Sequence, residues 1–235
     1  MSSYTKRFDG RKFDELRPIE AKAGVIKKAD GSAYFRIGKT TAYAAVYGPR
    51  ELYPKFLQDP KQGLLRCNYN MMPFSGAGER VRPGPSRRSK EISLITERAL
   101  RPVLDLKDFP NAVVDVFVEL TETDAGSRCA GICAASIALA DAGILMKDLV
   151  VAFSVGKVGD QVVVDLDGDE EHFESNSSVD IPIGLIPSTG EITLLQADGR
   201  ISPEDIRKCI KMAQERAPAV SEILRKALKE KYATE

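Results

Sequence analysis

The sequence predicts an α+β fold, and three observations carry that prediction. Its candidate elements run strands, helix, strand, helix, strands, helix, which is not the strict β-α-β alternation of a doubly wound sheet. Apolar segments of period two and stripes of period 3.6 are both well represented. The chain has 235 residues, 43% of them hydrophobic, enough to bury a sizeable core. We expect a single domain over residues 1–235, built of two related halves, roughly 1–145 and 146–235.

The elements can be taken in turn. Residues 19–47 read as an antiparallel meander: Ile19 to Lys27, a turn at Ala29-Asp30-Gly31-Ser32, a return over Ala33 to Ile37, and a third strand from Thr41 to Tyr47 that Gly48-Pro49 should end. Residues 50–63 are polar with Pro54, Pro60 and Gly63, as in a loop, and Leu64 to Phe74 is a further strand. After a Gly-, Pro- and Arg-rich loop, Ile92, Ile95, Ala99 and Val103 make the apolar stripe of a helix from about Arg88 to Asp105, which Pro102 should stop or kink. Ala112 to Leu120 is a strong strand, followed by a helix of small residues from about Arg128 to Ala142. Strands near 149–157, 161–166, 179–186 and 191–196 follow. A final helix opens at Ser202-Pro203-Glu204-Asp205 and runs to about Lys231.

Composition removes several functions. Thirty-four basic residues balance thirty-four acidic ones, so any grip on nucleic acid must come from local clustering. No run of about 18 apolar residues suggests a membrane span, and the residues after Met1 lack the apolar stretch of a secretory signal. We therefore expect a cytoplasmic protein. Cys67, Cys129, Cys133 and Cys209 form no Cys-x-x-Cys pair and read as reduced thiols rather than a zinc site. His172 is the single histidine, which makes Ser-His-Asp or Cys-His catalysis a poor expectation.

Three constellations could carry chemistry. Asp124-Ala125-Gly126-Ser127-Arg128 joins a strand to a helix start, where free amides and partial positive charge suit an anion. Ser127 adds a hydroxyl and Arg128 a planar fork for phosphate oxygens; an ordinary capped helix start is the plainer explanation. Seven basic residues between Arg80 and Arg101 face Glu79, Glu91 and Glu97. Arg87 and Arg88 among them fall at a helix N-terminus, a poor place for cations unless a phosphate chain lies there. The acidic run from Asp165 to Glu174, with Asp180 after it, could hold Mg²⁺ or supply a general acid, or could be a solubilising loop. Tyr69 sits on a strand beside polar neighbours, as a base-stacking platform or an edge-of-core residue.

These segments, with Phe8-Asp9-Gly10-Arg11, Glu15-Leu16-Arg17, Val46-Tyr47-Gly48-Pro49-Arg50-Glu51, Arg82-Pro83-Gly84-Pro85, Ala138-Leu139-Ala140-Asp141-Ala142-Gly143 and Leu194-Leu195-Gln196, resemble the RNase PH family. The likeness is nearest to the catalytic RNase PH-like subunits of archaeal exosomes and runs over nearly the whole chain. It implies an RNase PH-like fold, related to the second domain of ribosomal protein S5. It also implies a phosphate-dependent 3′-to-5′ exoribonuclease that releases nucleoside diphosphates and can add 3′ tails in reverse. The implied partners are the RNA 3′ end, a paralogous inactive subunit (three copies of each in a hexameric ring) and RNA-binding cap subunits.

By the same resemblance, Gly126, Ser127 and Arg128 match the phosphate-binding turn, and Arg87 and Arg88 the arginines that hold the RNA end and phosphate. Tyr69 matches a base-stacking tyrosine. The loop from Gln58 to Leu64, which includes Lys61, matches the segment that grips RNA in a central pore, with Arg66 close behind. Asp180 matches the second of two acidic residues that place Mg²⁺ or protonate the leaving oxygen. The first lies six residues earlier in the family, which lands on Glu174; alignment on the upstream acidic pair lands on Glu171 instead. Inorganic phosphate is the implied co-substrate. A ring subunit that binds RNA without cleaving it, and a stand-alone RNase PH that trims tRNA, are the alternatives.

Overall fold

The computed structural model describes residues 4–77, 80–173 and 178–233. Strands β1 (Ile19–Ala23), β2 (Gly31–Ile37), β3 (Thr40–Glu51), β4 (Leu64–Met71) and β5 (Ala112–Glu122) form a five-stranded sheet in the order β1-β2-β3-β5-β4. Its strands are antiparallel except β4 and β5, which run parallel and are joined over helix α1 (Arg87–Leu100). A second, four-stranded sheet has the order β7-β6-β8-β9, from β6 (Val151–Val158), β7 (Gln161–Val164), β8 (Ser178–Leu185) and β9 (Ile192–Leu195). Helix α2 (Ser127–Asp141) lies between the sheets and packs on β2, β3 and β5 of one and β6 and β8 of the other. This placement explains its Ala-, Ser-, Cys- and Gly-rich sequence, because a helix buried on nearly all sides needs small side chains for close approach. A β-carbon at Gly31 would meet the α2 backbone at 2.2 Å.

Strands β1 and β4 end earlier than expected, at Ala23 and Met71, and three further differences have a physical reason. Strand β3 continues through Gly48-Pro49 to Glu51, because a register shift between Tyr47 and Arg50 absorbs the proline that cannot donate to the ladder. Helix α1 ends at Leu100, and Pro102 sits in a single 3₁₀ turn, Arg101–Val103. Within the acidic run a short helix α3 (Gly168–Glu171) replaces the expected loop or hairpin; Asp167 caps it, accepting from the Glu170 amide. The last helix, α4 (Pro203–Ala233), buries Cys209, Ala213, Ala217, Val220, Leu224 and Ala227 on one stripe and tolerates Pro218 within it.

Tyr69 requires a correction. Its side chain is inside the main core, 3% exposed, with its ring against the position of Gly131 on α2. Alternation along β4 turns Leu65, Cys67 and Tyr69 to the same inner face. A ring buried there has no free face for a base.

The N-terminal segment is fixed by charge. The Arg7 guanidinium is bidentate to Glu170 at 2.8 and 2.7 Å and donates to the Val164 and Asp165 carbonyls, each at 2.7 Å. Both side chains of the pair are completely buried. The Tyr4 hydroxyl also donates to Glu170, and Tyr4, Phe8, Phe13 and Phe173 pack around it as a small aromatic cluster.

Three outcomes follow. Arg7→Met strands a buried carboxylate and should lower stability by about 3–5 kcal/mol, roughly 10 °C in thermal unfolding, with part recovered in Arg7→Met/Glu170→Leu. Tyr69→Ala should destabilise the chain by about 3–5 kcal/mol in denaturant titration, as other large-to-small core changes do. Tyr69→Leu, which removes the aromatic face but keeps an apolar side chain in the core, should leave the RNA affinity of the folded protein unchanged in a filter-binding titration; a tenfold loss there would return the ring to the RNA.

Candidate functional site

One cleft of about 1170 Å³ gathers charged residues from three helices, one strand of the second sheet and the segment after its last strand. Helix α1 contributes Arg88 and Glu91, the start of α2 contributes Gly126, Ser127 and Arg128, and α3 contributes Glu171 with His172 after it. Strand β8 supplies Ser178, Asp180 and Pro182, and the segment after β9 supplies Gln196 to Arg200.

The turn into α2 is built to leave its amides free. Gly126 is the N-cap in the left-handed region (φ 64°), and no side chain caps the helix. Ala125 is also left-handed (φ 59°), a conformation that strains an L side chain. The turn is held from behind, where the Thr40 hydroxyl donates to the Ala125 carbonyl at 2.7 Å and accepts from the Asp124 amide at 2.9 Å. Arg17, itself bidentate to buried Asp165, donates to the Asp124 carbonyl. Uncapped amides at the positive end of a helix form an anion site. Arg128, whose guanidinium donates to the Gln196 side-chain oxygen, adds a formal charge beside it.

Across the cleft stand two carboxyl groups. The Ser154 hydroxyl donates to Asp180, and its strand is zipped to the following segment by the Asp198 amide, which donates to the Asp180 carbonyl at 2.9 Å. Burial pushes the Asp180 carboxyl up, and the negative charges of Asp198 and Asp165 add to that against Ser154 and Arg128. Burial, and after it the charge of Asp180, pushes Glu171 up to about 7. The Ser178 hydroxyl donates to the Glu171 carbonyl at 2.6 Å, tying the end of α3 to β8 two residues before Asp180.

Of the residues singled out in the sequence, Arg88, Gly126, Ser127, Arg128 and Asp180 meet in this cleft. Glu174 lies outside the described residues, and Glu171 is the carboxylate beside Asp180. Arg87 opens α1 as an exposed residue outside the cleft lining; Ser86 and Ser89 cap that helix reciprocally. Lys61 and Arg66 are remote. Arg66 is pinned to Asp115, also held by Arg50, and nine extended residues, about 30 Å, separate Asp115 from Asp124. Sequence reading did not assign Glu91, Gln196, Asp198 or Arg200 to the site. Glu91 enters from α1, one turn after Arg88; the segment of the other three has no periodicity, and only its pairing along β8 brings it into the cleft.

Comparison with known proteins agrees with this architecture. Residues 15–145 match the 3′ exoribonuclease family, domain 1, and residues 148–216 match its domain 2. The exosome complex component Rrp41 of Pyrococcus furiosus is 51% identical over 227 residues, 97% of this chain and 89% of that protein. Rrp41 of Nitrosopumilus maritimus is 46% identical over 232 residues, 99% of this chain and 93% of that protein. Among solved structures, rice Rrp46 superposes with a TM-score of 0.82 at 26% identity, covering 95% of this chain and 100% of that one. A chain of the Archaeoglobus fulgidus exosome with RNA bound to the active site shares the fold (TM-score 0.78, 24% identity, 93% of this chain and 92% of that one). With both family models matched in order and half the residues shared with full-length relatives, the chain belongs to the RNase PH family of 3′ exoribonucleases.

Proposed function

We propose that this chain is the phosphate-dependent 3′-to-5′ exoribonuclease subunit of an archaeal-type exosome ring. It would act in the cytoplasm beside an inactive paralogue, three copies of each, beneath RNA-binding caps. The observation that carries the reading is the pairing, in one cleft, of an uncapped helix N-terminus flanked by Arg128 with the carboxyl pair Glu171 and Asp180. Phosphoryl transfer between oxygens asks a protein for positioning and charge stabilisation more than for covalent chemistry. An anion site, arginines and a proton source meet those needs.

The Gly126–Arg128 amides and the Arg128 fork would hold inorganic phosphate, and Arg88 would hold the terminal RNA phosphodiester. An oxygen of the phosphate attacks the phosphorus, the bond to the 3′ oxygen of the penultimate nucleotide breaks, and a nucleoside diphosphate leaves. The departing 3′ oxygen takes up a proton. Glu171, pushed up to about 7, is protonated in a substantial share of molecules at neutral pH and can supply it. The reverse reaction would add 3′ tails from nucleoside diphosphates. A donor set of two carboxylates fits Mg²⁺, which keeps its remaining positions for water and substrate oxygens. Asp180 would hold it, joined by Glu171 in its ionised form, and when bound it would neutralise charge on the transferred phosphoryl group.

The decisive assay incubates 3′-oligoadenylated RNA with the chain and its ring partner, with and without phosphate, and measures ADP. Phosphate-dependent ADP is the expected result; a verified ring that binds RNA and releases none would favour a non-catalytic subunit. Arg128→Ala removes charge-assisted hydrogen bonds to phosphate and should raise the phosphate concentration for half-maximal rate about 10- to 100-fold.

Glu171→Gln should lower kcat and also change the pH dependence of stability. The folded state raises this carboxyl from 4.5 to about 7, so ionisation works against folding. The wild type therefore loses stability relative to the variant as pH climbs from 4.5 to about 7, and the gap is constant above that. Thermal melts without divalent cations should coincide at pH 4 and separate by pH 8, with the variant higher.

A further inference from the structure

Asp124 stands at the junction of the two halves of the cleft without lining it. Its backbone belongs to the phosphate turn, through the Thr40 and Arg17 hydrogen bonds. Its carboxylate points the other way, and Oδ1 accepts the Gly168 amide at 3.0 Å. Gly168 is the first residue of α3 and Glu171 the last, one helical turn on. A second observation shows that this contact shapes the local sequence. A β-carbon on residue 168 would come within 2.5 Å of Asp124 Oδ1, although the backbone of Gly168 is not left-handed. The glycine is needed there for the approach of the carboxylate. The remaining partner of Asp124, Lys39 at 3.8 Å, is 82% exposed and contributes little.

We propose that Asp124 is a positioning residue for the reaction, its carboxylate holding Glu171 at a fixed separation from the phosphate turn through the Gly168 amide. The inference rests on the phosphorolytic reading above and adds to it the link between its two parts. Glu171 is then gripped on both sides: α3 is anchored at its start by Asp124, and the Glu171 carbonyl is anchored by Ser178. Without Asp124, the short helix would keep the Asp167 cap, the buried Glu170 pair and the Ser178 bond. Those hold the helix to the N-terminal segment and to β8, and none of them reaches the phosphate turn directly. Phosphate would still bind, because its amides and Arg128 are untouched, but the proton source would stand at the wrong distance.

The contact can be broken from either side. Asp124→Ala removes the acceptor, and Gly168→Ala blocks its approach while leaving Asp124 in place. Each should lower kcat about 10- to 100-fold in the assembled ring with oligoadenylated RNA, the range for loss of a partner that orients a reacting group. The KM for phosphate should stay within about threefold of wild type, because ground-state binding is unchanged. The double variant should be no worse than the weaker single one, since both remove the same contact. Asp124→Asn keeps an oxygen at Oδ1 and should retain most of kcat.

A fully active Gly168→Ala, a loss confined to KM, multiplying losses in the double variant, or an Asp124→Asn as poor as Asp124→Ala would each overturn the assignment. If Asp124→Ala does not fold, Gly168→Ala and Asp124→Asn decide alone, because one must lose kcat and the other keep it. A wild-type ring that releases no ADP with phosphate would remove both readings. An active wild type with an unimpaired Gly168→Ala would remove this one only.

Discussion

Asp165 and Glu170 are carboxylates buried to within 1% exposure, and a charge in that setting is tolerated only with a partner that also supplies hydrogen bonds. Arg17 and Arg7 are those partners, and both come from the segment ahead of β1. The segment must therefore cross the second sheet before the first sheet begins. The consequence reaches the cleft, because Arg17 also bonds the Asp124 carbonyl and Glu170 sits next to Glu171 in α3. Apolar side chains of the same volume could fill this space as stably, but non-directional packing cannot fix the orientation of a carbonyl or of a four-residue helix. The buried arginines hold two turns from different sheets in one geometry.

How much of this was legible in the sequence depends on whether a feature follows from periodicity. The stripe Ile92, Ile95, Ala99 and Val103 placed α1 because burial repeats every 3.6 residues. The small-residue run after Ser127 placed α2 by composition rather than by period, because a helix buried on nearly all sides shows no stripe. Tyr69 was read two ways, as a core-edge residue from its own neighbours and as a stacking platform from the resemblance, and its burial agrees with the first. The polar residues Arg66, Asn68 and Asn70 drew attention, whereas alternation with Leu65 and Cys67 carried the inward signal. α3 was missed because four residues have no period, although the Asp167 to Glu170 spacing is a capping box. Arg200 and Asp198 had no local signal at all, since a loop zipped onto β8 is a tertiary fact.

The charge arithmetic also changes meaning in three dimensions. A net charge of zero gave no reason to expect a partner rich in phosphate. The cleft itself is mixed: Arg88, Arg128 and Arg200 face Glu91, Glu171, Asp180 and Asp198. Attraction for an anion there does not come from a broad positive field. It comes from the oriented amides at the start of α2, which keep their partial charge whatever the surrounding side chains carry. An enzyme that must bind phosphate and protonate an oxygen a few ångströms away needs both signs in one place. A uniformly basic groove would drive every carboxyl there to ionise.

That requirement explains why the cleft lies where the two matched family regions meet. The anion site belongs to residues 15–145 and the carboxyl pair to residues 148–216. Placed on one sheet, they would share one rigid backbone, and neither could be adjusted without the other. Here α2 packs against both sheets and belongs to a single hydrophobic core that spans them, so its N-terminus is fixed relative to β8. Burial fixes the helix axis but not the last few ångströms at the rim of the cleft, where the chain turns and solvent enters. Those depend on directional bonds: Arg17, itself held by Asp165 of the second half, to the Asp124 carbonyl, Asp124 to the Gly168 amide, and Arg128 to Gln196. Each joins residues more than 40 apart in sequence, and none is implied by the pattern of apolar side chains. The core sets the distance between the sheets, and these three bonds set the distance between the uncapped turn and the carboxyl pair.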